Sequence, residues 1–146
     1  GQAVQPRLMK TDSEPRVVKS LEIPGRWLDA VLKGMNLVSN SPWGTAYRAR
    51  LEDKRWLLAG KTGTSQVRSI SLMERETRIL RNDERPWRER DHALFVAFAP
   101  ISAPRYALSI VVEHGGSGSR TAAPLAKEIL AEVRRLEIDR AAEQES

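Results

Sequence analysis

Hydrophobic positions recur at helical spacing in two stretches of the chain. Both stretches place an apolar residue at every third or fourth position, which covers one face of an α-helix. The pattern therefore predicts one helix over residues 27–39 and another over residues 121–137, followed by a polar tail over 138–146. The two apolar stripes consist of Leu28, Val31, Leu32, Met35 and Val38, and of Leu125, Ile129, Leu130, Val133 and Leu136.

Other stretches have the length and composition of β-strands. Residues 56–67 begin apolar and become small and polar, and residues 92–112 hold two apolar runs joined by a short, proline-containing connection. A connection of this length commonly joins neighbouring antiparallel strands. These patterns predict an α+β fold in which a three-stranded antiparallel sheet packs against the C-terminal helix.

The segments outside these elements are polar or charged. Residues 1–26 are rich in proline, arginine and polar side chains, and two short runs at 7–10 and 16–19 flank a turn-like segment. They predict an exposed hairpin within an otherwise extended region. Residues 68–91 hold many charges and few aliphatic side chains, so we expect a loop there with one or two helical turns.

The composition limits the kind of protein to which the chain can belong. Its 146 residues are 40% hydrophobic and 29% charged, which supports one modest core and is too little for two ordinary domains. No apolar run has the length of a membrane span, and the first residues lack the apolar block of a signal peptide. The absence of cysteine excludes disulfides and thiolate metal sites, and His92 and His114 have no ligand-like spacing.

The basic charge balance suggests one hypothesis about partners. A net charge of +5 and a sequence pI near 10.0 favour acidic partners, such as nucleic acid or an anionic cell-wall polymer. However, the charges are mixed: residues 85–91 alternate in sign, and the predicted C-terminal helix carries several glutamates. Mixed runs are typical of a solvated surface. A non-catalytic basic binding module is therefore kept as the alternative hypothesis, and we expect no nucleic-acid partner.

Gly60-Lys61-Thr62 has the residue types that end a phosphate-binding loop, but its context excludes that interpretation. Such a loop requires a glycine five positions before the glycine that precedes the lysine, and Arg55 occupies that position. The intervening residues 56–59 are mostly apolar and predict a strand. They cannot form a glycine-rich cradle of backbone amides.

Lys61-Thr62-Gly63 also resembles the Lys-Thr-Gly box of the penicillin-recognising serine enzymes, which lies on a strand that lines a cleft. An extended peptide that ends in a carboxylate can add to a sheet edge through main-chain hydrogen bonds. Gly63 lets the two backbones approach closely. Thr62 and Thr64 fall on one face, where their hydroxyls can donate to the carboxylate. Lys61 starts on the other face and has to reach round the strand edge to place its charge in the cleft. A backbone N–H just past the glycine can form half of an oxyanion hole.

Longer motifs around this strand resemble those of a known family. Residues 60–67, Gly-Lys-Thr-Gly-Thr-Ser-Gln-Val, resemble the third-strand motif of the class B penicillin-binding proteins. Residues 40–46 contain a Gly-Thr-Ala segment like the one that precedes that strand. Residues 90–100 and 113–116 are similar to the family's next strand and to the end of its last one. The order and spacing of the motifs agree across nearly the whole chain. The likeness is greatest to the penicillin-binding protein 2 branch, which acts in cell elongation and cell shape.

The resemblance implies that residues 1–146 are the C-terminal portion of a serine D,D-transpeptidase domain, with a partial penicillin-binding, β-lactamase-like fold. Members of the family cross-link peptidoglycan stem peptides through an acyl-serine intermediate, which β-lactams trap. For this chain the resemblance implies that Lys61 holds the serine of the family's second motif and supplies positive potential. It implies that Thr62 and Thr64, with Gly63 between them, bind the substrate carboxylate, and that the Thr64 N–H completes the oxyanion hole. No metal or organic cofactor is implied.

Two motifs of the family do not occur in this sequence. No lysine has a serine three positions before it, and no asparagine has a serine two positions before it, so both Ser-x-x-Lys and Ser-x-Asn are absent. Both motifs come earlier in the family, so we expect the isolated chain to be inactive and to need the N-terminal half of the transpeptidase domain. The resemblance also implies a periplasmic location, a parent anchored in the bacterial inner membrane, and elongation-machinery partners. A missing first strand would expose one edge of the strand at residues 106–112, which predicts a homodimer through that edge.

Overall fold

The computed structural model describes residues 2–6, 9 and 17–144, which fall into two units, Gly1–Gly34 and Met35–Ser146. In the first unit, strand β1 (Gln2–Val4) pairs with β2 (Val17–Ser20) in an antiparallel ribbon. The predicted run at 16–19 thus overlaps a strand, although its partner strand lies nearer the N-terminus than expected. Residues 7, 8 and 10–16, on which the rest of that hairpin prediction falls, lie outside the described residues.

Helix α1 (Gly25–Asn40) is slightly longer than the predicted 27–39. The helix begins two residues earlier than predicted, and the Pro24 carbonyl accepts a hydrogen bond from the Trp27 N–H at 2.9 Å in its first turn. The helical periodicity is confirmed, but its apolar stripe is only partly covered. Val31 is 58% exposed, whereas Val38 packs against the hydrophobic core.

The second unit is built on a three-stranded antiparallel sheet, as predicted. Its strands are β3 (Ala59–Ser65), β4 (His92–Ala99) and β5 (Tyr106–Val112), and β4 lies in the middle. Strand β3 is shorter than the predicted 56–67 because Lys54–Trp56 form a 3-10 turn, which the Asp53 carboxylate caps.

One face of this sheet carries the core. Alternate β4 residues are buried on that face, and most of them are alanines, whose small side chains let a helix approach the sheet closely. Helix α3 (Ala123–Gln144) covers the face, and its buried residues join the same core cluster. The predicted α+β architecture with a C-terminal helix is therefore confirmed. The core contributed by β4 and α3 consists of Ala93, Phe95, Ala97, Ala99, Ala123, Ala126 and Leu130.

The C-terminal helix differs from its prediction at both ends. It is preceded by a π-helical turn (Gly118–Ala122), and it continues to Gln144, so the predicted tail over 138–146 is wrong for residues 138–144. At the predicted end of the helix, Glu137 accepts hydrogen bonds from Arg105 and from the Tyr106 hydroxyl. No helix in the described part of the chain is both long and apolar enough to cross a membrane.

The segment between β3 and β4 is mostly a loop, but it contains three short helical pieces where the prediction for 68–91 expected one or two turns. Helix α2 (Leu72–Glu76) begins with a capping box between Ser71 and Glu74, and single 3-10 turns follow at Asn82–Glu84 and Trp87–Glu89. The Arg68 guanidinium donates to the Glu74 carboxylate at 2.8 Å, and this hydrogen bond is the main reason that the pKa of Glu74 falls to about 2. Despite its polar composition, the loop is thus held by hydrogen bonds between its own residues.

Candidate active site

Lys61, Thr62, Gly63 and Thr64 lie in β3, at the edge of the sheet. One edge of β3 pairs with β4, and no strand pairs with its other edge among residues 2–6, 9 and 17–144. Thr62 is opposite Phe95 and Thr64 is opposite Ala93, so both threonines share the face that carries the core. The adjacent free edge is open to an extended ligand.

The side chain of Lys61 lies on the opposite face of β3, where its residue pairs with Val96. It is exposed, and its ammonium turns back along the strand to donate a hydrogen bond to the Thr62 carbonyl at 2.6 Å. It makes no ion pair with any residue that the structure describes. The charge is therefore available to a group that approaches the strand edge.

The Gly-Thr-Ala segment before β3 contacts the candidate site directly. The Thr45 and Thr62 hydroxyls are 2.9 Å apart and share one hydrogen bond. Because only one of the two hydroxyl protons is used, the other remains free to bind a ligand. Thr45 has no role assigned from the sequence, although the Gly-Thr-Ala segment that contains it is one of the motifs that carry the resemblance.

The neighbours of Thr45 explain why this segment holds its position. A β-carbon at Gly44 would lie 2.2 Å from the Val38 carbonyl oxygen, so only glycine fits there. Ala46 donates its N–H to the same carbonyl at 2.9 Å, and its side chain is buried in the core. The glycine and the alanine thus fix the backbone on both sides of Thr45, which places its hydroxyl against Thr62.

The π-helical turn before α3 packs on the backbone of β3. A β-carbon at Gly118 would lie 2.4 Å from the Gly63 carbonyl oxygen and 2.3 Å from the Leu94 carbonyl oxygen. Gly118 is buried, and the turn that also carries Ser119 and Arg120 contacts β3. The close approach expected at Gly63 concerned a bound peptide and stays a prediction, whereas the structure shows that a turn of the same chain packs on Gly63.

A buried ion pair anchors the end of the β3–β4 loop beside the candidate site. Arg85 and Asp91 are 8% and 7% exposed, and their charged atoms are 3.3 Å apart. Asn82 hydrogen-bonds both the side chain and the backbone N–H of Asp91, at 3.1 and 2.8 Å. The Asp91 carbonyl also accepts from the Gly116 N–H at 2.8 Å. These bonds fix the start of β4 relative to the turn that follows β5.

His92 and His114 lie together despite their separation in the sequence. Their ring centroids are 4.8 Å apart, and His92 Nδ1 accepts a hydrogen bond from the His114 backbone N–H at 2.9 Å. Their partners indicate a structural role, because His114 Nδ1 is bonded to the Arg90 carbonyl. Among the described residues, no group of three or more histidine and acidic side chains could hold a metal ion.

Comparison with known proteins points to the same family as the sequence motifs. The profile of the penicillin binding protein transpeptidase domain matches residues 1–131. Over 131 residues the chain is 31% identical to the peptidoglycan D,D-transpeptidase MrdA of Haemophilus influenzae, and the match covers 88% of this chain and 19% of that protein. The matches thus cover between about a tenth and a fifth of the length of the curated relatives.

Two solved structures resemble the fold. The first is penicillin-binding protein 2 of Helicobacter pylori in complex with MreC, with a TM-score of 0.60 and 33% identity over 76% of this chain and 18% of that one. The second is penicillin-binding protein 2 of Pseudomonas aeruginosa in complex with WCK 5153, with a TM-score of 0.55 and 36% identity over 83% of this chain and 22% of that one.

Proposed function

Because the chain belongs to the penicillin-binding protein transpeptidase family, we propose that it is the C-terminal portion of a serine D,D-transpeptidase that cross-links peptidoglycan stem peptides. The observation that carries this proposal is the position of Lys61-Thr62-Gly63-Thr64 on a free sheet edge, with Thr62 bonded to Thr45. The nucleophilic serine comes from a preceding part of the same protein, since the sequence printed here has no Ser-x-x-Lys.

In this mechanism the donor peptide lies in an extended conformation along the free edge of β3. The hydroxyls of Thr62 and Thr64 bind its terminal carboxylate, which their shared face of the strand supports. The Thr64 N–H and a second donor from elsewhere in the protein stabilise the oxyanion of the tetrahedral intermediate. The serine then forms an acyl-enzyme with release of D-Ala, and the acyl group passes to an amine of a neighbouring peptidoglycan strand.

Lys61 contributes positive potential at the same edge. In the isolated chain its ammonium is bonded to the Thr62 carbonyl, and rotation about its flexible side chain can redirect it to the serine of the family's second motif. Its exposure and its lack of a described ion-pair partner support this role. No metal or organic cofactor takes part in the proposed reaction.

The same proposal extends to location and partners. We propose that the whole protein is anchored in the bacterial inner membrane, with this part in the periplasm, and that it acts in cell elongation and cell shape. The H. pylori relative is found in complex with MreC, which supports partners from the elongation machinery. The whole protein binds β-lactams, as the family's name indicates, and the P. aeruginosa relative binds WCK 5153.

A fluorescent penicillin distinguishes the whole protein from this chain. Penicillin should acylate the protein isolated from its source cell, at one site per molecule, because that protein contains the serine. The chain printed here should gain no mass after the same incubation, because it has no Ser-x-x-Lys. Intact-mass spectrometry measures both results. A native protein that penicillin does not label would contradict the proposed function. A stoichiometric adduct on this chain would contradict the conclusion that it lacks the serine nucleophile.

We further propose that this chain on its own forms a homodimer through β5. The strand pairs with β4 on one edge, and none of the described strands pairs with its other edge. Its outer face is mostly apolar, with Val111 58% exposed, and its sequence from Ala107 to Val112 has no charged or proline residue that would block pairing. A two-fold antiparallel pair would continue the sheet into a second copy.

Val111→Lys is expected to shift this dimer towards monomer, because it places a charged side chain on the exposed apolar face of the pairing strand. Sedimentation velocity over a range of concentrations measures the change. Val96→Lys is the matched control, because Val96 is exposed on the same sheet face but lies in the central strand. Monomeric sedimentation of the unmodified chain at high concentration would contradict the proposed dimer.

A further inference from the structure

A recess beside β3 is lined by two arginines and takes no part in the proposed mechanism. Its volume is about 310 Å³, and its lining includes Thr45, Arg48, Ser119 and Arg120. We call it the arginine recess. Its walls come from the segment after α1 and from the π-helical turn before α3, so residues distant in sequence form one site. Neither arginine lies in any of the sequence motifs described above.

The charge of the arginine recess is uncompensated. None of its described lining residues is acidic, and neither Arg48 nor Arg120 forms an ion pair with a residue that the structure describes. By contrast, other arginines of this chain are paired, such as Arg85 with Asp91 and Arg134 with Asp53. Two free guanidinium groups beside two hydroxyls are a donor set that suits a carboxylate.

The arginine recess adjoins the strand that binds the peptide in the proposed mechanism. Thr45 lines the recess and also hydrogen-bonds Thr62, and the turn that carries Ser119 and Arg120 packs on Gly63 through Gly118. Thr62 itself does not line the recess. A carboxylate held by Thr62 and one held by Arg48 and Arg120 would therefore occupy neighbouring but different places.

We propose that the arginine recess binds a side-chain carboxylate of the donor peptide, separate from the terminal carboxylate held by Thr62 and Thr64. This inference rests on the proposed function and adds a specificity site to it. Arg48 and Arg120 then select acidic peptides, while Thr45 links the two carboxylate sites. Planar guanidinium groups can bind such a carboxylate in a bidentate manner, which an amide side chain cannot reproduce.

A pair of matched peptides tests this specificity on the full chain printed above. Both peptides end in D-Ala-D-Ala, and they differ only in the preceding residue, which is glutamate in one and glutamine in the other. Titrations followed by ¹⁵N NMR should show that the glutamate peptide binds about fivefold more tightly, as expected for a partly exposed charge-assisted contact. The amides of residues 44–48 and 118–121 should shift with the glutamate peptide, and added salt should reduce the preference.

Variants separate the recess from general charge effects. The double variant Arg48→Gln, Arg120→Gln should bind both peptides equally, whereas Arg120→Lys should retain part of the preference because it keeps the charge. Arg75→Gln, an exposed arginine of α2, is the matched control and should retain the full preference. The dispersion of the amide spectrum shows whether each variant is folded. If the double variant is unfolded, the test is whether Arg120→Lys has a smaller preference for the glutamate peptide than the unmodified chain.

The outcomes distinguish this inference from the proposed function. Equal affinity of the unmodified chain for the two peptides would overturn the inference alone, as would a preference that survives in the folded double variant. If the chain binds neither peptide while penicillin labels the native protein, the recess proposal is wrong and the proposed function stands. If penicillin does not label the native protein, the proposed function fails.

Discussion

Replacing Lys61 with alanine is expected to slow acylation of the whole protein by a penicillin by about 10²- to 10³-fold, the range seen when a preorganised electrostatic group is removed from an active site. The proposed mechanism places the only lysine of β3 at the edge where the acyl group is transferred. Its loss would remove positive potential from both the bound carboxylate and the developing oxyanion. The rate of adduct formation, followed by intact-mass spectrometry, measures the effect.

The control for this experiment is Lys54→Ala. Lys54 is an exposed lysine in the 3-10 turn before β3, so the substitution removes the same charge outside the strand. The acylation rate of this variant should match that of the unmodified protein. A Lys61→Ala variant that is acylated within about threefold of the normal rate would show that the ammonium does not act in the transition state.

Gly118→Ala is expected to lower the free energy of unfolding by about 3 kcal/mol, at the upper end of the usual cost of overpacking. The new β-carbon would lie 2.3 Å from the Leu94 carbonyl oxygen and 2.4 Å from the Gly63 carbonyl oxygen. Both oxygens belong to backbone within the paired strands, so they cannot move aside without disturbing the sheet. The π-helical turn would have to move away from β3, together with Ser119 and Arg120. Urea unfolding followed by circular dichroism measures the change.

Gly34→Ala is the control, and it is expected to raise the free energy of unfolding. Gly34 lies inside α1, and a β-carbon there would meet nothing within 4 Å. Alanine should therefore raise the stability of the helix by about 0.5–1 kcal/mol, because it loses less backbone freedom on folding than glycine. A Gly118→Ala variant as stable as the unmodified chain would mean that the turn does not pack on β3 as described.

The sequence alone was enough to predict the main helices and strands, the family and the strand that carries the Lys-Thr-Gly motif. Periodicity was sufficient for the helices and strands, because side-chain direction repeats regularly along each element. The alternation within β3 also placed Thr62 and Thr64 on one face, and the strand register agrees with this. The roles of Lys61, Thr62, Gly63 and Thr64 in binding and catalysis stay predictions.

What each face of a helix or strand contacts depends on tertiary packing. Periodicity predicted an apolar stripe on α1 but could not show that Val31 would remain exposed. It ended the C-terminal helix at residue 137, whereas the helix continues to Gln144. It also could not show that Glu137 accepts hydrogen bonds from Arg105 and Tyr106, which lie about thirty positions away. Local pattern contains no information about such contacts.

The arrangement of the candidate site illustrates the same limit. Thr45 lies 17 residues before Thr62, and Gly118 lies far beyond Gly63, yet both contact the strand. The arginine recess exists only because the segment after α1 and the turn before α3 meet at β3. Motif spacing can identify the strand that binds a ligand. The groups that surround that strand depend on how the sheet and helices pack, because packing brings distant residues together.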